Sequence, residues 1–206
     1  MEILGKLLGT EERVKIMRLF LLNPEMCFDA HDIMERSKVN KGELRREIGL
    51  LLKIGFVKPK NFTKDIERKA GSSVKVLKKK VSGWQLAIEF PLLLPVRNLL
   101  ISSEPVKKED IIARFKNTGK VKFLVLAGVF IEKEDSRVDI LIVGDYLKRK
   151  SVENVLRSIE AEVGKELSYA LFETQDFLYR LSVYDKFVRD ILDYPHEKIL
   201  DKLNIA

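Results

Sequence analysis

Asn40-Lys41-Gly42-Glu43-Leu44-Arg45-Arg46-Glu47-Ile48-Gly49-Leu50-Leu51-Leu52-Lys53 is the stretch on which the reading of the fold turns. Asn40 followed three residues later by Glu43 resembles a capping box and predicts a helix start. At about 100° per residue, Leu44, Ile48, Leu51, Leu52 and Gly55 fall in one sector, the face a helix buries. Arg45, Arg46 and Lys53 fall on the opposite side, together with Gly42 and Gly49. Glycine weakens a helix by about 1 kcal/mol relative to alanine. Two glycines aligned with three cations therefore need a reason, and close approach to a phosphate backbone is one. The plain alternative is a poorly optimised surface helix.

Two more helices precede this one. Thr10 stands before Glu11 and Glu12, an N-cap with carboxylates where helix amides favour them. Val14, Ile16, Met17, Phe20 and Leu21 then recur at helical spacing until Asn23-Pro24, which predicts a helix over 11–22. After the short apolar stretch Met26 to Phe28, Asp29 caps a second helix through about Ser37, with Ile33 and Met34 inward. Ser37-Lys38-Val39 is a tight connection to the third. Beyond the third helix the period changes. Phe56, Val57, Pro59 and Phe62 read as a strand that Pro59 places at a sheet edge. Trp84, Leu86 and Ile88 alternate with Gln85, Ala87 and Glu89 as a second strand. Between them runs a polar, basic stretch from Thr63 to Ser82, with Gly71-Ser72-Ser73 and Lys78-Lys79-Lys80.

Charge singles out the same region. The chain of 206 residues carries 38 Lys plus Arg and 31 Asp plus Glu, a net +7. Residues 1–90 hold nineteen basic and twelve acidic side chains, whereas residues 91–206 hold nineteen of each. Residues 38–80 alone hold fourteen basic and four acidic, a local +10. Such asymmetry points to a polyanion-binding half beside a neutral partner half. With 46% hydrophobic and 33% charged residues, a disordered chain is excluded. Cys27 is the only cysteine, so no intramolecular disulfide or thiolate zinc site can form, and a buried thiol in a reducing cytosol is expected. The longest apolar run, Phe123 to Ile131, is nine residues against the ~20 needed to span a bilayer. The first residues lack the apolar core of a signal peptide. A cytoplasmic protein without membrane association is expected.

Helix, short helix, tight turn, basic helix and basic hairpin together resemble a winged helix-turn-helix DNA-binding domain over residues 1–90. The resemblance implies that the third helix enters the major groove of double-stranded DNA and that the hairpin, as a wing, lies along the backbone or minor groove. Carried over by position, Lys38, Asn40, Lys41, Arg45 and Arg46 would meet base edges or flanking phosphates, with Lys53 nearer the far end. Lys75, Lys78, Lys79 and Lys80 would be wing contacts. An arginine can pair bidentately with guanine, worth about 1–3 kcal/mol of discrimination. Wing lysines would add salt-dependent, sequence-blind affinity.

Residues 91–105 read as a connecting helix, Val96 to Ile101, and a linker, Ser102-Ser103-Glu104-Pro105. Residues 106–206 then give a helix over about 106–116, strands at Val121–Phe130 and Val138–Val143, a helix over about 148–163, a strand at Leu167–Phe172 and a mostly helical remainder. The fold class expected for the whole is α+β, with an α/β second domain whose small mixed sheet holds at least one antiparallel pair. Leu126-Ala127-Gly128-Val129-Phe130 with Ser136 to Val143 resembles the core of minimal nucleotidyltransferases of the polymerase-beta type. That family places Gly-Ser after the first strand, an Asp-x-Asp pair on the second and a third acid later, holding two divalent metals on a triphosphate. Here Gly128 and Asp139 match the glycine and first acid as vestigial positions. Val129 and Leu141 stand where the serine and second acid would be, while Glu166 and Glu173 only flank the third strand. One aspartate cannot clamp two metals, so the resemblance argues for the fold and against the activity. No catalytic residue, metal or cofactor is expected.

Other constellations are weaker. His31 and His196 lie on separate domains, each read as a surface or capping residue, and no Walker-type or Gly-x-Gly-x-x-Gly loop is present. Tyr179, Tyr184, Phe187 and Tyr194 read mostly as core, a subset facing a partner subunit. The whole chain resembles a prokaryotic transcriptional regulator that fuses a winged helix to a degenerate nucleotidyltransferase domain serving as a dimerisation, partner or sensing module for a nucleotide or protein. Two alternatives are an active nucleotidyltransferase with an atypical acid set around Asp139, and a module binding structured RNA.

Overall fold

In the computed structural model of the chain, residues 2–70, 73–101, 106–133 and 135–205 are described, with the side chains of residues 2, 66–70 and 73–76 left aside. The protein is mixed α+β with a three-stranded and a four-stranded sheet. It divides into two compact units, Met1–Ile101 with Ala161–Lys165 and Ser102–Glu160 with Glu166–Ala206. Among the described residues no helix is long and apolar enough to cross a membrane.

The first unit runs α1 (Glu2–Leu8), α2 (Glu11–Leu22), β1 (Cys27–Phe28), α3 (Ala30–Ser37), α4 (Lys41–Lys53), β2 (Val57–Ala70), β3 (Ser73–Leu86) and α5 (Leu93–Ile101). The caps expected at three helices are in place. Thr10 Oγ1 accepts from the Arg13 amide at 3.1 Å. Asp29 and Asp32 cap α3 reciprocally, and Asn40 and Glu43 do the same for α4, at 3.0 Å in each direction. Lys38 sits between them in the left-handed region, φ 53°, and turns the chain from α3 into α4. Val14, Phe20, Phe28, Ile33, Leu44, Ile48, Leu51 and Phe56 close the core, where Phe20 and Phe28 meet edge to face at 5.5 Å.

Four sequence expectations change here. α1 was not foreseen; it leaves Ile3 and Leu7 exposed. Gly55, expected on the buried sector of the third helix, is exposed just past its end with φ +77°, a left-handed stop that glycine adopts at little cost. The polar stretch between the two short strands is itself paired, so β2 and β3 form a hairpin of fourteen residues per strand, roughly 45 Å long. Pro59 does lie on an edge strand, since the order is β1-β3-β2. Gly83 is required where β1 crosses β3: a Cβ there would lie 2.2 Å from the Phe28 carbonyl oxygen. Cys27, in β1, is half-buried rather than buried, and free. The Gly71-Ser72 turn and the Ser102–Pro105 linker lie outside the described residues.

A buried carboxylate joins α2 to α4. Glu47 is wholly enclosed and accepts from Arg13 Nε at 2.8 Å and from Arg46 Nε at 2.9 Å. Burial pushes its carboxyl up, but the hydrogen bonds from Arg46 and Arg13 outweigh that and hold it below the usual glutamate range. Arg18 is buried as well. Its Nε donates to the Leu100 carbonyl at 2.9 Å and its Nη1 to that of Glu162 at 3.1 Å. Burial pulls its pKa down to about 10, opposed by the Glu162 carboxylate, so it stays charged at neutral pH.

The second unit runs α6 (Lys108–Phe115), β4 (Lys120–Leu126), a 3₁₀ turn (Gly128–Ile131), β5 (Ile140–Asp145), α7 (Arg149–Val163, its end from Ala161 belonging to the first unit), β6 (Tyr169–Glu173), α8 (Thr174–Ser182), α9 (Lys186–Asp193) and β7 (Glu197–Asp201). The sheet order is β6-β5-β4-β7. β5 and β6 are parallel, joined through α7, and the other pairs are antiparallel, so the sheet is mixed as expected. Phe123, Val125, Leu141 and Val143 pack one face against Phe177, Val188 and Ile191. Leu124 and Ile142, on the other face, are equally buried, which is why β4 and β5 read as continuous apolar runs. The first of these strands stops at Leu126 rather than Phe130, because Gly128 turns the chain into the 3₁₀ segment. β7 was not expected. Of the aromatic residues expected mostly as core towards the end of the chain, Tyr179, Tyr184 and Tyr194 are each more than half exposed.

Replacing Glu47 by Gln is expected to destabilise the protein by about 2–4 kcal/mol at neutral pH, since two arginines lose a buried counter-charge. A folded-state pKa held below the unfolded one contributes stability above the unfolded value and loses it as pH falls through the folded value. The gap between wild type and Glu47→Gln in urea melts should therefore be full near pH 7 and close below about pH 4.

Candidate nucleic-acid interface

α4 carries a basic outer face over an apolar inner one. Leu44, Ile48 and Leu51 are buried, while Lys41, Gly42, Arg45, Arg46, Gly49 and Lys53 are exposed. A Cβ at Gly49 would meet nothing within 4 Å, so no packing within the chain demands that glycine. Backbone is thus bare on the side where the cations stand.

The cations are not equivalent. Arg46 is tied by Nε to Glu47 while its side chain remains 62% exposed, which fixes its guanidinium against the helix. Asn40 spends Oδ1 on the Glu43 amide, leaving its NH₂ as the group to offer a ligand. Lys38 is exposed at the α3–α4 turn, and Lys53 lies in the last turn of α4, where a cation suits the helix dipole. Sequence reasoning missed Glu47 itself. On the helical wheel it stands about 40° from Leu51, inside the buried side, and that position was the available signal.

The hairpin separates the lysines that are adjacent in sequence. Lys78, Lys79 and Lys80 are all exposed, but residues alternate in direction along a strand. Lys78 and Lys80 face with Asp65 and Thr63, their cross-strand partners, and Lys79 faces with Lys64. Two lysines directly opposite repel. Lys64 is relieved of this by Asp29 and Asp32, at 3.1 and 2.5 Å. Desolvation opposes its charge, yet those two carboxylates outweigh it and raise its pKa. Lys75 lies in β3, its side chain outside the described residues.

The acids Asp29 and Asp32, with His31, form a group of three metal-ligand types whose ligand atoms lie within 4.8 Å. The Lys64 ammonium already sits on both carboxylates, and Asp29 also caps α3, so this is an ion-paired helix start. His31 is exposed beside Glu35, and His196 is within 2.8 Å of the Tyr194 carbonyl oxygen.

In the second unit Gly128 and Asp139 do meet. Asp139 is buried, with Oδ1 accepting from the Val129 amide at 2.8 Å and Oδ2 from the Ser168 amide at 2.9 Å. Its own amide donates to the Ser168 carbonyl at 2.7 Å, and its carbonyl accepts from the Ala127 amide at 2.8 Å. Ser136 Oγ accepts from the Gly128 amide at 3.0 Å. The side chain staples the turn after β4 to the entrances of β5 and β6. Gly128 has φ +53°, and a Cβ there would lie 2.1 Å from Asp139 Oδ1, so the glycine is needed by the staple itself. Leu141 is wholly buried in the sheet. Glu166 and Glu173 are both exposed.

No family model, curated protein or solved structure matches the chain.

Gly128→Ala is expected to cost about 2–4 kcal/mol, combining backbone strain with loss of the Val129–Asp139 hydrogen bond. Asp139→Asn should also destabilise, because one amide then faces an NH₂. Urea unfolding checks both; changes below about 0.5 kcal/mol would place the staple elsewhere.

Proposed function

We propose that this protein is a cytoplasmic transcriptional regulator that binds duplex DNA, with the first unit acting as a winged helix-turn-helix and α4 as its recognition helix. The observation that carries this reading is the outer face of α4, where Lys41, Arg45 and Lys53 stand exposed around bare backbone at Gly42 and Gly49. A major groove about 12 Å wide admits a helix, and the absence of side chains at two positions lets phosphates come close. Arg45, free of the constraint that Glu47 places on Arg46, is the candidate for a guanine edge. Lys41, Lys38 and the Asn40 amide suit flanking phosphates. On the hairpin wing, alternation allows one face at a time to meet the backbone, so Lys78 and Lys80 act together and Lys79 apart. One winged helix covers a single half-site, so we expect a homodimer on DNA.

The second unit is read as a nucleotidyltransferase-like fold without the activity. The two-metal chemistry of that family needs carboxylate oxygens free to ligate. Both oxygens of Asp139 are engaged by backbone amides, and the second acid position is a buried leucine, so the residues present do not fit the metals.

Fluorescence anisotropy with labelled duplex DNA should show binding whose logarithm falls linearly with the logarithm of salt concentration. Lys41→Ala with Arg45→Ala should weaken it about tenfold or more and reduce the salt slope by roughly one to two. Unchanged affinity in that variant would refute the assignment, and preference for duplex RNA over DNA would transfer it to RNA.

A further inference from the structure

The second unit holds an open cavity of about 410 Å³ between α6, β4 and β7. That volume falls within the range of roughly 300–1,000 Å³ typical of small-molecule sites. Its walls are apolar, built from Ile112, Phe115, Val121, Leu124 and Leu200. Every polar side chain in the lining is a lysine: Lys116, Lys120, Lys122 and Lys202. The cavity lies at the Lys120–Asp145 end of the β4–β5 pair, whereas Gly128 and Asp139 lie beyond the Leu126–Ile140 end. Six residues of strand separate the two ends, about 20 Å. It is therefore distinct from the vestigial nucleotidyltransferase position.

The local backbone explains why so much charge gathers there. The register of β4 against β5 shifts between Val121 and Phe123, leaving Lys122 as the extra residue of a bulge. Bulges re-aim side chains and interrupt strict alternation. As a result Lys120, Val121 and Lys122 all border one opening. The Lys122 carbonyl also accepts from the Lys202 amide at 2.8 Å, which brings the end of β7 to the same rim. Lys122 is neutralised by Asp145 at 2.7 Å, and Lys120 lies over the Tyr146 ring at 5.7 Å. Lys116 and Lys202 have no carboxylate within ion-pair distance among the described residues. The rim thus carries surplus positive charge over a greasy floor, without an acid in the lining to balance it.

We propose that this cavity binds a phosphate monoester of an apolar alcohol, the aryl or alkyl body on the apolar walls and the phosphate between Lys116, Lys120 and Lys202. A phosphate monoester carries close to two negative charges at neutral pH, which matches the surplus better than a single carboxylate does. The lining offers neither a carboxylate nor an amide side chain to read the edge of a base, and this favours a plain apolar body over a nucleoside. The inference does not rest on DNA binding by the first unit, and it gives the second a sensing role.

Isothermal titration of the full chain with 1-naphthyl phosphate, inorganic phosphate and 1-naphthol tests it. Expected is one-to-one binding of 1-naphthyl phosphate, about tenfold or more tighter than either half alone. Lys116→Gln with Lys202→Gln should weaken it about tenfold at an unchanged melting temperature, while Lys78→Gln, Lys79→Gln and Lys80→Gln together should leave it intact. Three results would overturn the proposal: inorganic phosphate binding as well as the ester, affinity surviving the Lys116/Lys202 change, or affinity falling with the hairpin change. DNA binding by the same variants is read separately, so failure here leaves the reading of α4 untouched.

Discussion

The first unit is organised around one buried carboxylate. Glu47 lies on α4, under the basic face rather than on it, and takes hydrogen bonds from Arg13 of α2 and Arg46 of its own helix. A buried charge is tolerated only when paired and hydrogen-bonded, so the pair fixes the rotation of α4 against α2. That rotation decides which cations look outward. It draws Arg46 down onto the helix and leaves Lys41 and Arg45 projecting beside the two glycines. Arg13 is held in turn by the Leu8 carbonyl, which connects α1 to the same point. Stability and the proposed DNA contact thus share one carboxylate.

The second unit repeats the device with different chemistry. Asp139 binds backbone amides instead of arginines, and it joins the turn after β4 to the start of β6 across β5. A carboxylate accepting two amide protons is well placed as a structural anchor. Gly128, which resembles a phosphate-supporting glycine when seen in sequence, has a nearer reason for being glycine in the contact with Asp139 Oδ1. At the far end of the sheet a bulge gathers lysines around an apolar hollow, so the proposed ligand cavity and the Gly128–Asp139 staple are at opposite ends.

Much of this was legible in the residues. Thr10, Asp29 and Asn40 marked three helix starts because capping is a local interaction between neighbours in sequence. The apolar runs of β4 and β5 were legible because both faces of those strands are buried. The hairpin was expected but its full length was not, because the stretch between Thr63 and Ser82 is rich in charge. What joins its strands is backbone pairing from Val57–Leu86 onward, and backbone pairing leaves no apolar alternation to read. β7 escaped as well, since Glu197-Lys198 followed by half-buried Ile199 and Leu200 shows no polar–apolar alternation. The aromatic residues of α8 and α9 were assigned to the core by type, yet only the positions facing the sheet, such as Phe177 and Val188, are buried. Of the interface, the exposed cations and glycines of α4 were readable from the helical wheel. The commitment of Arg46 to Glu47 and the splitting of Lys78 to Lys80 between two faces depend on contacts between elements.

The central claim is that bare backbone on α4 meets the phosphates of DNA, and the amide signals of Gly42 and Gly49 report on it directly. In a ¹⁵N-labelled full chain titrated with duplex DNA, both glycine amides should shift or broaden together with those of Lys41 and Arg45, while Gly144 in the second sheet stays in place. Glycine signals of α4 that remain fixed while other parts of the chain respond to DNA would contradict the account.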